Sequence, residues 1–260
     1  MDTVHVRIGE HLMQASGDSL KLMNMFKKSL LTSPVVYEQP DLIIHIRDGY
    51  GIPFVDYKVD ITKEAGKILF RRADYLIEAD SDYRNAFIYV QDELALKHAL
   101  INLYSSFIVS NNWGLLIHSS CVIEDGKAHI FAGESGAGKS TAAELSYPRE
   151  LLSDEATLVK ITSDEITVYN SPFRSEIEMK GESRFCSLAS INILHQAPHN
   201  QRITLRKSNG LLLLMDKVFY WAHDAKETGG IIGLMKILAN GVPIYELHFQ
   251  KNDTFWELIS

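Results

Sequence analysis

The sequence is poor in cysteine, in clustered positive charge and in long apolar runs, and each shortage closes off a class of protein. Only two cysteines, Cys121 and Cys186, occur in 260 residues, far apart and without a CxxC neighbour. A disulfide framework or thiolate metal site is therefore not expected; two buried thiols are. Lysine and arginine total 26 against 33 aspartate and glutamate, a net charge of −7, and the basic pairs Lys27-Lys28 and Arg71-Arg72 stand alone. Nucleic-acid binding, which needs cations clustered against phosphates, is not expected. No apolar stretch approaches the roughly 20 residues that span a bilayer, and the start Met1-Asp2-Thr3-Val4-His5-Val6-Arg7 has no secretory pattern. A cytoplasmic protein without a membrane partner is expected. The ten histidines show no metal-ligand spacing such as HExxH, and no repeat or low-complexity segment is present.

What is there suffices for a packed core: 46% of the residues are apolar, enough for one large or two small domains. The N-terminal third alternates like sheet, with strands expected at Asp41–Ile46, Lys67–Phe70 and Asn85–Val90. From Asp92 to Ser110 apolar residues recur at three- and four-residue spacing, predicting a helix with one buried face that links two halves. This divides the chain into a strand-rich region, 1–112, and a second region, 113–260. In the latter, Leu211–Met215 and Ile231–Leu238 read as helices, Pro243–Phe249 as a strand, and Phe255–Ile259 as a last helical turn, their apolar residues assigned to the core.

Residues 133–140 read Gly133-Glu134-Ser135-Gly136-Ala137-Gly138-Lys139-Ser140, which satisfies the Walker A pattern G-x-x-x-x-G-K-[ST]. Lys127–Ala132 before it reads as a strand, and Ser140–Leu145, through Thr141, as a helix. Glycines let consecutive backbone N–H groups turn toward a β-phosphate, and the positive end of the following helix faces the same anion. Lys139 would neutralise the β- and γ-phosphates of ATP, and the Ser140 hydroxyl would ligate Mg2+.

Phosphoryl transfer also needs a carboxylate on the metal and a group that orients the nucleophile. The candidates are Asp154 and Glu155, expected to return to the phosphate end after a helix stop near Pro148 and a short strand, Glu150–Leu152, beside the strand that leads into the glycine loop. The identical triplet Ser163-Asp164-Glu165 sits between Thr157–Ile161 and Ile166–Tyr169 and reads as an exposed hairpin turn without a role. A second hairpin turn, Asp125-Gly126, sets a register in which residue numbers sum to 251. His118 then falls opposite Gly133, where it either meets a phosphate, braces the loop or is a core histidine.

Three segments together, Leu116-Ile117-His118-Ser119-Ser120-Cys121-Val122, Gly133–Thr141 and Leu151-Leu152-Ser153-Asp154-Glu155, resemble the HPr kinase/phosphorylase group and its small relatives over residues 113–259. Ser171-Pro172-Phe173-Arg174 and Val242–Leu247 also look like those relatives. The resemblance implies an α/β fold, a P-loop kinase core of the HPr-kinase/PEP-carboxykinase type, with Asp154 on Mg2+ and Glu155 in the place of the family's second acid, usually Asp, which acts as base toward a serine hydroxyl. The Glu-Val-Arg-Gly segment of true HPr kinases is absent near Arg174, itself a candidate phosphate or substrate contact. Small relatives of this kind include tailoring kinases that phosphorylate a serine of a precursor peptide, as in lasso-peptide clusters.

The leading expectation is an ATP- and Mg2+-dependent kinase acting on a serine of a peptide or small protein, with His118, Lys139, Asp154 and Glu155 as its catalytic residues. A nucleotide-binding switch or scaffold with slow ATPase activity, a small-molecule kinase and a phosphorylase running in reverse are the alternatives. Assembly as a homo-oligomer stays open.

Overall fold

The computed structural model describes residues 2–29, 38–174 and 185–259. The chain forms two compact units: residues 1–111 with 220–228, and residues 112–219 with 229–260.

The first unit is built on strands β1 (Asp2–Ile8), β2 (His11–Gly17), β3 (Leu42–Asp48), β4 (Asp60–Glu64), β5 (Lys67–Arg71), β6 (Tyr75–Asp80) and β7 (Asn85–Val90), with helices α1 (Leu20–Ser29) and α2 (Glu93–Ser110). The strands make one seven-stranded sheet in the order β1-β2-β3-β7-β6-β5-β4. The three strands expected from alternation are β3, β5 and β7. Asp92 caps α2 by accepting from the Ala95 backbone N–H at 2.9 Å, satisfying a donor that the first helical turn leaves orphaned. The expectation of one buried face on this helix is corrected: thirteen of its eighteen residues are buried, among them Asn102, Ser105 and Ser106. These polar groups are tolerated because they are hydrogen-bonded, as where Asn102 Nδ2 donates to the Tyr75 hydroxyl at 3.0 Å.

The second unit holds β8 (Gly114–Glu124), β9 (Lys127–Ala132), α3 (Lys139–Leu145), β10 (Glu150–Ser153), β11 (Ala156–Ile161), β12 (Ile166–Tyr169), β13 (Phe185–Gln196), β14 (Gln201–Thr204), α4 (Lys207–Leu214) with a 3-10 turn at Met215–Lys217, α5 (Ala225–Gly241) from residue 229 on, and β15 (Ile244–Phe249), the last followed by a 3-10 turn at Asp253–Leu258. Strands β8, β11, β12, β13 and β9 pair in a closed ring. The long strands β8 and β13 run on beyond the ring and share a sheet with β9, β10, β15 and β14.

The β8–β9 hairpin has the expected register, from Glu124 opposite Lys127 to Ser119 opposite Ala132. Its turn residues Asp125 and Gly126 both have positive φ, 48° and 75°, as a two-residue hairpin demands. One placement is corrected: β10 pairs with β8, not with β9. The edge of β9 away from β8 is filled by the parallel strand β13, so the returning chain pairs on the far side of β8.

Both cysteines are free thiols, Cys121 buried and Cys186 only half-buried. Among the described residues, no helix is long and apolar enough to cross a membrane.

Candidate functional site

Three parallel strands, β9, β13 and β15, end at the same side of the sheet, because Ala132 pairs with Ile193 and Gln196 with Phe249. Loops at the carboxyl ends of parallel strands are where open α/β sheets place ligands. The glycine loop leaves β9 here. Gly136 and Gly138 take φ of 79° and 106°, a region that costs side-chain-bearing residues energy. A Cβ on Gly138 would also stand 2.6 Å from Phe249 Cζ. The loop is held from β13, where Gln196 Nε2 donates to the Gly136 carbonyl at 2.7 Å. A cavity of about 250 Å³ lined by Gly138, Thr141, Gln196, Ala197, Phe249 and Lys251 opens beside it.

Packing under the loop fixes α3. Its Ala142 joins Val122, Phe131, Leu247, Phe249, Phe255 and Trp256 in one buried cluster. Trp256 Nε1 donates to Ser146 Oγ at 3.1 Å, and that hydroxyl donates to the Ala142 carbonyl at 2.6 Å. The C-terminal turn therefore belongs to the core, as its apolar pattern indicates.

Lys139 opens α3 and turns back over the loop, its Nζ donating to the carbonyls of Gly133 and Glu134, both at 3.0 Å. Glu134, Ser135 and Ser140 are exposed, and Ala137 and Thr141 are partly so. The loop therefore carries a half-buried ammonium and an exposed hydroxyl on one short stretch.

Strand β8 carries the acids to the same end. On one edge it pairs with β10 up to Ser153 opposite Cys121, and with β11 from Ala156 opposite His118. Asp154 and Glu155 bend between these strands at the register positions of Ser120 and Ser119. The Ser119 N–H donates to the Glu155 carbonyl at 3.1 Å. On the opposite edge Ser119 pairs with Ala132, the residue before the glycine loop, and Ser120 Oγ donates to the Lys139 carbonyl at 3.0 Å. The loop and the acid pair thus lie on either side of two consecutive serines. Asp154 is buried and Glu155 is half-buried.

Arg174 is a brace. Its Nη2 donates to the carbonyls of Leu151 and Leu152 and to Asn170 Oδ1, at 3.1, 3.0 and 2.7 Å, and its Nε donates to the Ser171 carbonyl at 3.1 Å. Burial lowers the guanidinium pKa, opposed by the nearby Asp154, so this side chain ties the segment after β12 to the strand that ends at the acids.

The register that points His118 at Gly133 stops one pair short, at Ser119 and Ala132. The vacated edge is taken by a segment that sequence reading passed over. Ile117 bridges Val218, and the Phe219 N–H donates to the Leu116 carbonyl at 2.9 Å. One step along this antiparallel bridge, Lys217 falls across from His118. The His118 ring lies against Phe219, centroids 5.5 Å apart. Burial first, then Lys139 and Lys217, push the His118 pKa down to about 4, so the imidazole is neutral at physiological pH. Burial and the charge of Lys217 also hold Lys139 below its ordinary value. Lys217 has a buried side chain, 8% exposed, paired with Asp216, which is 64% exposed.

The exposed turn Thr162–Glu165 joins β11 and β12 as the sequence indicates. Among the described residues no group of three or more His, Cys, Asp or Glu could hold a metal ion. Magnesium carried by a nucleotide needs less from a protein, one or two oxygens beside those of the phosphates, and Ser140 and Asp154 are hard oxygen donors of the right kind. Residues 90–260 match the model of a protein family, ScmC, described as SynChlorMet cassette protein ScmC. No curated protein matches the chain.

Proposed function

The chain belongs to the ScmC family, and for this member we propose an ATP- and Mg2+-dependent phosphotransferase of the HPr-kinase type. Its acceptor is a serine hydroxyl of a peptide or small protein, of the kind found in lasso-peptide precursors. One observation carries the reading: a complete G-x-x-x-x-G-K-S loop follows the central strand β9, and the β8 ladder sets Asp154 and Glu155 across Ser119 and Ser120 from it.

In this reading the loop N–H groups and Lys139 grip the nucleotide phosphates, Lys139 exchanging its two carbonyl partners for phosphate oxygens. Ser140 and Asp154 hold Mg2+, which neutralises charge on the phosphates when bound. Glu155, less buried than Asp154, receives the proton of the attacking hydroxyl. His118, neutral and packed on Phe219, donates a hydrogen bond rather than a charge. The cavity beside Gly138 and Thr141 receives the nucleoside.

The test is incubation with γ-labelled ATP, Mg2+ and serine-containing peptides, including any short peptide encoded beside the gene. Label appears on serine with the unaltered chain and is lost with Lys139→Ala. Slow ATP hydrolysis without labelled peptide, together with nucleotide-dependent capture of a partner, would instead favour a switch.

A further inference from the structure

Resting on the nucleotide reading, the geometry points to Lys217 as a second phosphate-gripping cation, which with Lys139 and His118 forms a pocket for a terminal phosphoryl dianion. That group is either the γ-phosphate of a nucleoside triphosphate or free inorganic phosphate.

Lys217 lies where β8 changes partners. Above Ser119 the edge belongs to β9; below it, the edge belongs to the segment at Val218 and Phe219. The loop emerges at that junction, so Lys217 begins the neighbouring segment where Gly133 leaves. Lys217 closes a 3-10 turn, Met215–Lys217, directly before that bridge, and Phe219, two residues on, lies against the His118 ring, so the buried Lys217 side chain leaves the backbone beside His118. Ser120, two residues on from His118, shares its face of β8 and bonds the first residue of α3.

An ammonium buried to this degree is costly unless its charge is answered. Its carboxylate partner, Asp216, is mostly in solvent, where an ion pair contributes little. Another cation, Lys139, feels its charge, which holds the Lys139 pKa down. For packing alone a methionine of similar length would serve without the repulsion. Two ammoniums that act by charge on one another and on a neutral imidazole would be relieved together by an anion with several oxygens. Asp216 then acts as a resting partner that yields Lys217 to the anion. Nucleoside diphosphate, lacking the terminal group, needs only the loop and Lys139.

The experiment is calorimetric titration of the full chain with Mg·ATP, Mg·ADP, and inorganic phosphate in the presence of Mg·ADP, repeated on Lys217→Met and Asp216→Asn. If Lys217 grips the terminal group, Lys217→Met lowers the preference for ATP over ADP by about tenfold or more, the scale of a lost charge-assisted contact, and leaves ADP affinity within about twofold. If the ligand is free phosphate, the same variant loses phosphate binding while the ATP preference stands. An unchanged ATP preference together with unchanged phosphate binding overturns the assignment. Asp216→Asn, altered at an exposed side chain, keeps the question answerable if Lys217→Met fails to fold. Freed of its competing carboxylate, Lys217 should raise affinity for ATP, or for phosphate, a few-fold relative to ADP, and no rise in either would overturn the assignment. If the unaltered chain binds neither nucleotide, the proposed function itself falls; if it binds both through Lys139 but ignores Lys217, only this inference does.

Discussion

Lys217 sits across an antiparallel bridge from His118, one step beyond the Ile117–Val218 pair, on the edge of β8 that β9 abandons at Ala132. Where β8 changes its neighbour from β9 to the Val218 segment, a buried lysine comes beside a neutral histidine, and its charge reaches the lysine of the glycine loop. Several measurable consequences come from this arrangement and from the acids across β8.

Replacing Lys139 by alanine should cost ATP affinity about 100-fold or more, as loss of a group proposed to contact two charged phosphates implies. Stability should hardly move, because the side chain is partly exposed and its two carbonyl partners can turn to water. Calorimetry beside a urea melt separates the two effects. A variant that melts early and binds normally would contradict the assignment.

The two acids should divide their work. Asp154→Asn is expected to weaken the Mg2+ dependence of nucleotide binding by about tenfold or more, since on the proposed reading it removes the carboxylate that would hold the metal. Glu155→Gln should leave that dependence intact and lower the rate of phosphoryl transfer by about 100-fold or more, the scale of general-base catalysis. Magnesium titrations at fixed ATP, read against single-turnover rates, check both. The reverse pattern would exchange the roles.

Arg174→Ala should act on folding before it acts on binding. The guanidinium bonds three backbone carbonyls and Asn170, and leaving such acceptors unpaired costs about 1–3 kcal/mol. The denaturation midpoint should fall accordingly while ATP affinity in the folded protein changes little. Unchanged stability with lost ATP binding would make Arg174 a ligand contact instead.

Acid should destabilise the protein through three histidines. His98, His118 and His129 are each lowered from 6.5 to about 4, chiefly by burial. Each ring stays neutral in the fold and charges when unfolded, so unfolding takes up protons and stability is lost as the pH drops from 6.5 toward 4. Near pH 5 these groups account for an uptake of about two to three protons. The slope of unfolding free energy against pH measures it, and His129→Gln should reduce the uptake by about one.

Gly138→Ala should disable the loop. Its φ of 106° and the 2.6 Å approach to Phe249 Cζ leave no room for a methyl group, so the loop must rearrange or Phe249 must leave the cluster under α3. Loss of nucleotide binding with a lowered melting temperature is expected, and a tighter-binding, stable variant would show the loop is not used as described.

Local signals were readable where the backbone obeys neighbouring residues. Asp125-Gly126 dictated the β8–β9 register because only such residues accept its positive φ, and α2 followed from spacing and from the Asp92 cap. Long-range pairing was not readable. Strand β13 mixes Ser190 and Asn192 into its buried positions, which hides its alternation; those polar groups are satisfied by neighbours such as His129 and the Ile130 carbonyl. The partner of β10 depended on β13 having filled the other edge of β9. The site divided in the same way. The glycine loop is contiguous and announces itself, whereas Lys217, between Asp216 and Val218, carries no local pattern; its burial is decided by a bridge to a strand remote in sequence.

Strand β8 also ties the loop to the acids in whole-residue steps. Because its side chains alternate, inserting or deleting one residue between Ile117 and Ser120 would turn His118 or Ser120 to the opposite face and shift the pairing with β9 or with β11. Evolution can therefore lengthen the surrounding turns freely, but along this strand it can only exchange one side chain for another. The distance from loop to carboxylate is in that sense digital: it is set by counting residues, and no gradual deformation of the sheet can tune it.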